Sequence, residues 1–214
     1  MLQQDPYICP NFDSCALLVI DMQNDFVQPK GTASSPEALE ILPRTQALAE
    51  TFRKSEQRIA HVIRLYTQDG RKAEPCRRSV LKKGTGLVIP ESWGAQIAEG
   101  LLPQGAVVDH EELQWGTLKH ISTNECVLFK PSWSAFYKTR LEWCLLEAST
   151  NTIVITGTWF ANCVRQTIYD AMSCNLRVVA VRDCIAGITD KDCADLEKVG
   201  CSVMTADEIA AQLG

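Results

Sequence analysis

A chain of 214 residues, 46% hydrophobic and 22% charged, is long enough for one sizeable core and has the balance of a water-soluble globular protein. Its formal net charge of −5 argues against nucleic acid or an anionic membrane surface as a partner. The opening "MLQQDPYICPNF" lacks a basic start and a long apolar segment, and runs such as "ALLVI" are too short to span a bilayer, so the expected address is cytoplasmic.

Taken in chain order, "ALLVI" (16–20) predicts a fully buried strand that ends at Asp21. "SPEALEILPRTQALAETFRKS" then predicts a helix, with Ser35 as N-cap and Pro36 at its first position. Leu39, Leu42, Leu48 and Phe52 share its apolar face, and Pro43 is expected to kink or split it. "IAHVIRLY" (59–66) and "CVLFK" (126–130) predict the second and third strands. Between them, residues 67–122 are rich in Gly, Pro and charge and weakly periodic, which predicts a functional excursion or short helices.

"TRLEWCLLEAS" predicts a helix, "TIVITG" the fourth strand and "NCVRQTIYDAMSC" the next helix. "RVVAVRD" predicts the fifth strand, "DKDCADLEKVG" a helix ended by Gly200, and "CSVMT" a short last strand. "TADEIAAQLG" closes the chain with Thr205 and Glu208 at capping-box spacing. Continuous apolar strands alternating with helices predict one α/β domain over residues 1–214. It is a three-layer α/β/α fold, with an about six-stranded, mainly parallel sheet and helices on both faces.

Ten cysteines are spread along the chain without any C-x-x-C pair or finger-like histidine spacing, so a zinc site is not expected. A disulfide framework belongs to small secreted domains. Most of these thiols should therefore pack as small apolar groups.

Sites on an open parallel sheet lie outside the carboxyl ends of its strands. Asp21 follows the first strand, Lys130 the third, and Cys163 stands where the fourth strand gives way to a helix. A cysteine in a first helical turn feels the macrodipole and unpaired backbone N–H groups, and a nearby ammonium adds to that, so a lowered thiol pKa is expected. A carboxylate in reach can take the thiol proton and return it to a leaving amine, while backbone N–H groups hold an oxyanion. Together these groups suffice for acyl transfer through a thioester without a metal. Singly, Asp21 reads as a turn residue, Lys130 as a solvated strand end and Cys163 as core. Only a shared rim makes them a site.

"ALLVIDMQNDFV" (16–27), "LFKPSWSAFYKTRLE" (128–142) and "VITGTWFANCVRQTIYDAMSCNLRVVAVRDCIAG" (154–187) resemble the isochorismatase-like cysteine hydrolases, which include nicotinamidases and carbamoylsarcosine, ureidoacrylate and biuret amidohydrolases. The resemblance implies an Asp-Lys-Cys triad falling on Asp21, Lys130 and Cys163. It implies a non-proline cis peptide at Thr158-Trp159, an oxyanion hole from the N–H groups of Trp159 and Cys163, and a homo-oligomer, either dimer or tetramer. Nicotinamidases hold a metal with an Asp and several His, but the matching stretch "LYTQDGRKAEPCRR" has no His, so neither metal nor any other cofactor is expected. Isochorismatases proper cleave a vinyl ether and can lack the cysteine, so Cys163 favours C–N hydrolysis.

The expected activity is hydrolysis of a small non-peptide amide, carbamoyl or ureido compound. The alternatives are a vinyl ether hydrolase, or a non-catalytic oligomeric binding protein with a redox-sensitive thiol. Phe26, Trp133, Phe136 and Trp159 are the expected walls of a pocket for a small planar substrate. Arg64, at the end of the second strand, is the expected partner of a substrate carboxylate, and Arg165 is a weaker candidate.

Overall fold

The computed structural model describes residues 5–115 and 118–214. Among them seven strands form one sheet: β1 (Cys15–Ile20), β2 (Arg58–Ile63), β3 (Leu118–His120), β4 (Glu125–Phe129), β5 (Thr152–Gly157), β6 (Arg177–Ile185) and β7 (Ser202–Met204). Their spatial order is β3-β4-β2-β1-β5-β6-β7. Six of them run parallel, as the apolar runs predict. The seventh, β3, is a three-residue antiparallel edge strand inside the 67–122 excursion, too short to leave a periodic signal.

Nine α-helices surround the sheet among the described residues. They are α1 (Asn24–Val27), α2 (Pro36–Glu40), α3 (Leu42–Lys54), α4 (Pro75–Leu81), α5 (His110–Gln114), α6 (Leu141–Glu147), α7 (Arg165–Ser173), α8 (Asp190–Lys198) and α9 (Ala206–Leu213). Successive side chains of a strand point to opposite faces. Leu17 and Val19 of β1 accordingly share a cluster with Leu48, Phe52 and Ile209 from α3 and α9. Ala16, Leu18 and Ile20 share another with Leu145, Ile168 and Leu196 from α6, α7 and α8. These are the two outer layers of the three-layer fold. No helix of the described residues is long and apolar enough to cross a membrane.

The predicted long helix is split, as Pro43 requires. α2 and α3 meet at Ile41, which sits between them as both C-cap and N-cap. Ser35 Oγ accepts the Ala38 N–H at 3.1 Å, the predicted N-cap bond. The break changes the phase of the apolar face: Ala38 and Ile41 are buried, whereas Leu39 faces out with 38% of its surface exposed. At the other end of the chain the Thr205–Glu208 capping box forms, and α8 carries a second one in Thr189 and Asp192.

The excursion holds α4, a single 3-10 turn at Trp93–Ala95, α5 and β3. Side chains just past β1 tie it to the body. Gln23 Nε2 donates to the carbonyls of Arg64 (2.9 Å) and Ala95 (2.8 Å). Asn24 Nδ2 donates to the Trp93 carbonyl at 2.9 Å. The buried Asp25 carboxylate accepts the N–H groups of Thr32 (3.1 Å) and Val88 (2.6 Å). Gly94 passes so close that a Cβ there would lie 2.1 Å from Asp25 Oδ2.

A buried ionic cluster fixes the start of β4. Glu125 receives Arg53 Nε at 2.9 Å and Nη2 at 2.6 Å, and its Oε1 lies 2.6 Å from His61 Nε2.

Candidate active site

The centre of the sheet is where strand order turns, with β2 to one side of β1 and β5 to the other. In such sheets ligands bind at that switch point, beyond the strands' carboxyl ends. Backbone pairing here continues one residue past the strands. Asp21 N–H donates to Val62 O at 2.8 Å, Lys130 N–H to Ile63 O at 3.0 Å and Thr158 N–H to Ile20 O at 2.9 Å. Three strand ends are thereby clamped in one register. Asp21 turns the chain with φ of 51°, a left-handed conformation that Asp and Asn adopt more readily than most residues.

Asp21, Lys130 and Cys163 come together. An ammonium has three protons to donate. Lys130 Nζ lies 2.8 Å from Asp21 Oδ2, 3.3 Å from Cys163 Sγ and 3.3 Å from the Ser132 carbonyl. Lys130 is fully buried, against the reading of a solvated strand end. Asp21 Oδ1 is buried as well, and among the described residues no nitrogen or oxygen donor reaches it.

Cys163 sits in a π-type turn, Phe160–Val164, wedged between β5 and α7. The Val164 N–H reaches back five residues to the Trp159 carbonyl at 3.2 Å. The Thr158-Trp159 peptide is cis. Thr158 Oγ1 donates to the Asp21 carbonyl at 3.0 Å, joining the turn to β1. Of the two N–H groups expected to form an oxyanion hole, that of Cys163 is engaged by Asn162 Oδ1 at 2.6 Å.

The electrostatics correct one expectation. The Cys163 thiol is not lowered but pushed up to about 12. Burial is the main cause and the Asp21 carboxylate the second, with Lys130 pulling the other way. The sulfur belongs to a residue only 6% exposed, and α7 begins two residues later, at Arg165. Burial also works against the Lys130 ammonium, but Asp21 and Cys163 outweigh it and hold the group above its ordinary value. The resting pair is therefore a protonated thiol beside an ammonium–carboxylate ion pair.

Phe26, Arg64, Tyr66, Arg77, Trp159 and Asn162 wall a cleft over the sulfur. Its free volume is about 10 Å³, room for one water. Phe26 and Trp159 take their expected places. Trp133 and Phe136 are not among the residues lining this cleft; both pack against the cluster that holds Leu128, Cys163 and Ile168. Arg64 lines the cleft but is committed elsewhere. It lies 4.2 Å above the Tyr66 ring and donates to the carbonyls of Leu65 and Lys72 and, at 3.3 Å, to Glu74. Arg165 pairs with Asp192 at 2.7 Å and stacks on Phe160, outside the cleft. Tyr66 is the last residue of the predicted second strand and Asn162 the first of the predicted helix after the fourth, but neither is a predicted site residue, and Arg77 carries no such signal. Tyr66 and Asn162 could have been found as neighbours of Arg64 and Cys163, whereas nothing pointed to Arg77.

Among the described residues no group of three or more His, Cys, Asp or Glu side chains is arranged to hold a metal ion. The segment after β2 places an Arg64–Glu74 ion pair, Tyr66 and Arg77 at the cleft, a set that repels a cation rather than ligating one. His61 belongs to the Glu125 cluster and His110 Nδ1 accepts the Glu91 N–H at 2.9 Å. His120 lies exposed on the edge strand β3.

Residues 15–208 match the isochorismatase domain family model. A probable inactive nicotinamidase of Arabidopsis thaliana is 28% identical over 204 residues, 92% of this chain and 95% of that protein. The crystal structure of an isochorismatase family protein from Desulfovibrio vulgaris superposes with a TM-score of 0.79 at 29% identity, covering 94% of this chain and 98% of that one. The structure of N-carbamoylsarcosine amidase from Thermoplasma acidophilum superposes with a TM-score of 0.71 at 26% identity, covering 91% and 97%.

Proposed function

Because the chain belongs to the isochorismatase family, we propose that it hydrolyses a C–N bond of a small non-peptide amide, carbamoyl or ureido compound through a thioester on Cys163. One observation carries the reading: a buried ammonium, Lys130, bonded at once to the Asp21 carboxylate and the Cys163 sulfur. A structural ion pair needs no thiol at its third position.

Since the thiol is protonated at rest, attack begins with proton transfer. Asp21 takes the proton, and Oδ1 is the oxygen with no competing hydrogen bond. Lys130 stays charged, so the thiolate that forms replaces the carboxylate's lost negative charge beside the same ammonium. Sulfur adds to the carbonyl carbon, and the oxyanion takes the N–H groups of Trp159 and Cys163. The Cys163 donor becomes available when the Asn162 side chain turns away from it. The C–N bond breaks as Asp21 returns the proton to the leaving nitrogen. Water, deprotonated by Asp21, then cleaves the thioester, and the thiol and the acid are released. Donors of this kind are worth about 2.7–4 kcal/mol each in acyl transfer.

The test is product release over a panel of small amides, carbamoyl compounds and ureas, read as ammonia or amine, and of vinyl ethers, read as the carbonyl product, with Cys163→Ala and Cys163→Ser beside the wild type. Turnover of an amide-type substrate that falls by orders of magnitude in both variants is the expected result. Full turnover in Cys163→Ala points instead to ether hydrolysis. No turnover of any compound by folded wild-type protein supports the non-catalytic reading.

A further inference from the structure

We propose that Arg77 anchors a carboxylate on the substrate, so that the site takes monoanionic amides or carbamoyl compounds in preference to neutral ones. The assignment rests on Cys163 being the reacting group at the base of the cleft. Charges around the cleft pair off except for one. Asp21 answers Lys130 at 2.8 Å, and Glu74 answers Arg64 at 3.3 Å. Arg77, half-buried on α4, lines the same cleft, and its guanidinium makes no hydrogen bond, ion pair or ring contact among the described residues. A second donor is unmet nearby, because Arg64 Nε is buried without a partner although the rest of that guanidinium is bonded. The carboxylate partner expected of Arg64 from its place at a strand end thus passes to its neighbour.

The surplus is a single positive charge. A neutral substrate leaves it unanswered, and a dianion such as a phosphate overbalances it. A monocarboxylate matches it, and its two oxygens suit the fork of a guanidinium. Phe26 and Tyr66 supply apolar walls on which the rest of a small planar molecule can lie.

Iodoacetate and iodoacetamide test this without a known substrate. They are nearly the same size, and each alkylates a thiol by forming a sulfur–carbon bond with loss of iodide and of the thiol proton. They differ in charge. Site-resolved mass spectrometry gives the ratio of the two rates at Cys163, with Cys174 and Cys193 as internal references. In the wild type the Cys163 ratio should exceed the reference ratio by about tenfold or more, the size of one charge-assisted hydrogen bond. Arg77→Gln should bring it down to the reference, and Arg77→Lys should retain part of the preference. A ratio unchanged by Arg77→Gln overturns the anchor. Labelling by iodoacetamide with no charge preference also overturns it, while leaving the nucleophile reading intact. A Cys163 that neither reagent labels refutes the nucleophile reading and the anchor with it.

Discussion

Replacing Asp21 by Asn should move two measurements of Cys163 in opposite directions. The swap keeps size and shape, and Asn adopts the left-handed backbone of this position as readily as Asp. What it removes is one negative charge and one proton acceptor. The carboxylate and the sulfur flank the same Nζ at 2.8 and 3.3 Å, so they lie within about 6 Å of each other. At an effective dielectric near 20, a unit charge at that distance is worth about 3 kcal/mol, or about a hundredfold in thiolate population. A thiol pushed up to about 12 is ionised to about one part in ten thousand at pH 8. Removing Asp21 should lower that value and raise the iodoacetamide labelling rate of Cys163 at pH 8 by at least about tenfold. Hydrolytic turnover should fall by about 10²–10⁴, the usual contribution of a general base. Far-UV circular dichroism checks that both proteins fold alike. Slower or unchanged labelling in a folded Asp21→Asn protein would show that the carboxylate does not set the state of the thiol, and the proton-transfer scheme would go with it.

Lys130→Met should destabilise the fold by about 3–5 kcal/mol in urea, because it leaves the Asp21 carboxylate buried and unpaired; adding Asp21→Asn, which removes the charge and keeps the left-handed backbone, should recover much of the loss. A single variant within about 1 kcal/mol of wild type contradicts that account. Gly157→Ala should cost more than about 3 kcal/mol or prevent folding, since φ is 122° and the new Cβ would lie 2.0 Å from the Ile20 carbonyl oxygen, a backbone atom that cannot give way; a normal thermal midpoint would refute it. Acid should weaken the fold through His61 and Glu125. Burial lowers His61, against the pull of Glu125, so the unfolded chain takes up a proton below about pH 6.5 that the folded one refuses. Burial works to raise Glu125, but its bonds to His61 and Arg53 prevail and hold it below the usual range, so its contribution is lost as pH falls through that depressed value. The thermal midpoint should therefore drop between pH 7 and 5, and His61→Gln should flatten that drop; an unchanged slope refutes the His61 assignment.

The sheet and the cluster of Asp21, Lys130 and Cys163 were legible because both leave marks in the order of residues. A buried parallel strand is a continuous apolar run, and the first polar residue after it stands at the rim, as Asp21, Lys130 and Cys163 do. The outer wall left no such mark. α4, α5 and β3 are seven residues or fewer, and single side-chain-to-backbone bonds from Gln23, Asn24 and Asp25 hold this region in place. Nothing periodic announces such bonds. Arg64 misled because position gives the strand end but not the partner, and Glu74 lies ten residues away on the excursion. Trp133 and Phe136 stand outside the cleft lining because aromatic residues beside a strand-end lysine can pack beneath a crevice as well as wall it, and here they pack against the cluster that holds Cys163. The thiol's ionisation depends on burial, which no spacing reports.

Gln23, Asn24 and Asp25 fasten the excursion at Arg64, Val88, Trp93 and Ala95. The stretch 67–87, which carries Tyr66's neighbours and Arg77, spans two of those fastenings and contributes nothing to the triad. On the proposed function, the charge that recognises the substrate and the groups that react thus lie on separately fastened parts of one chain. Recombination that swaps residues 67–87 while leaving Val88, Gly94 and Ala95 in place exchanges one residue of the cleft wall, Arg77, and leaves the Asp21–Lys130–Cys163 cluster as it stands. On that reading, a scaffold fastened in this way can change the charge over its sulfur by loop exchange, without first breaking the Asp21–Lys130–Cys163 cluster.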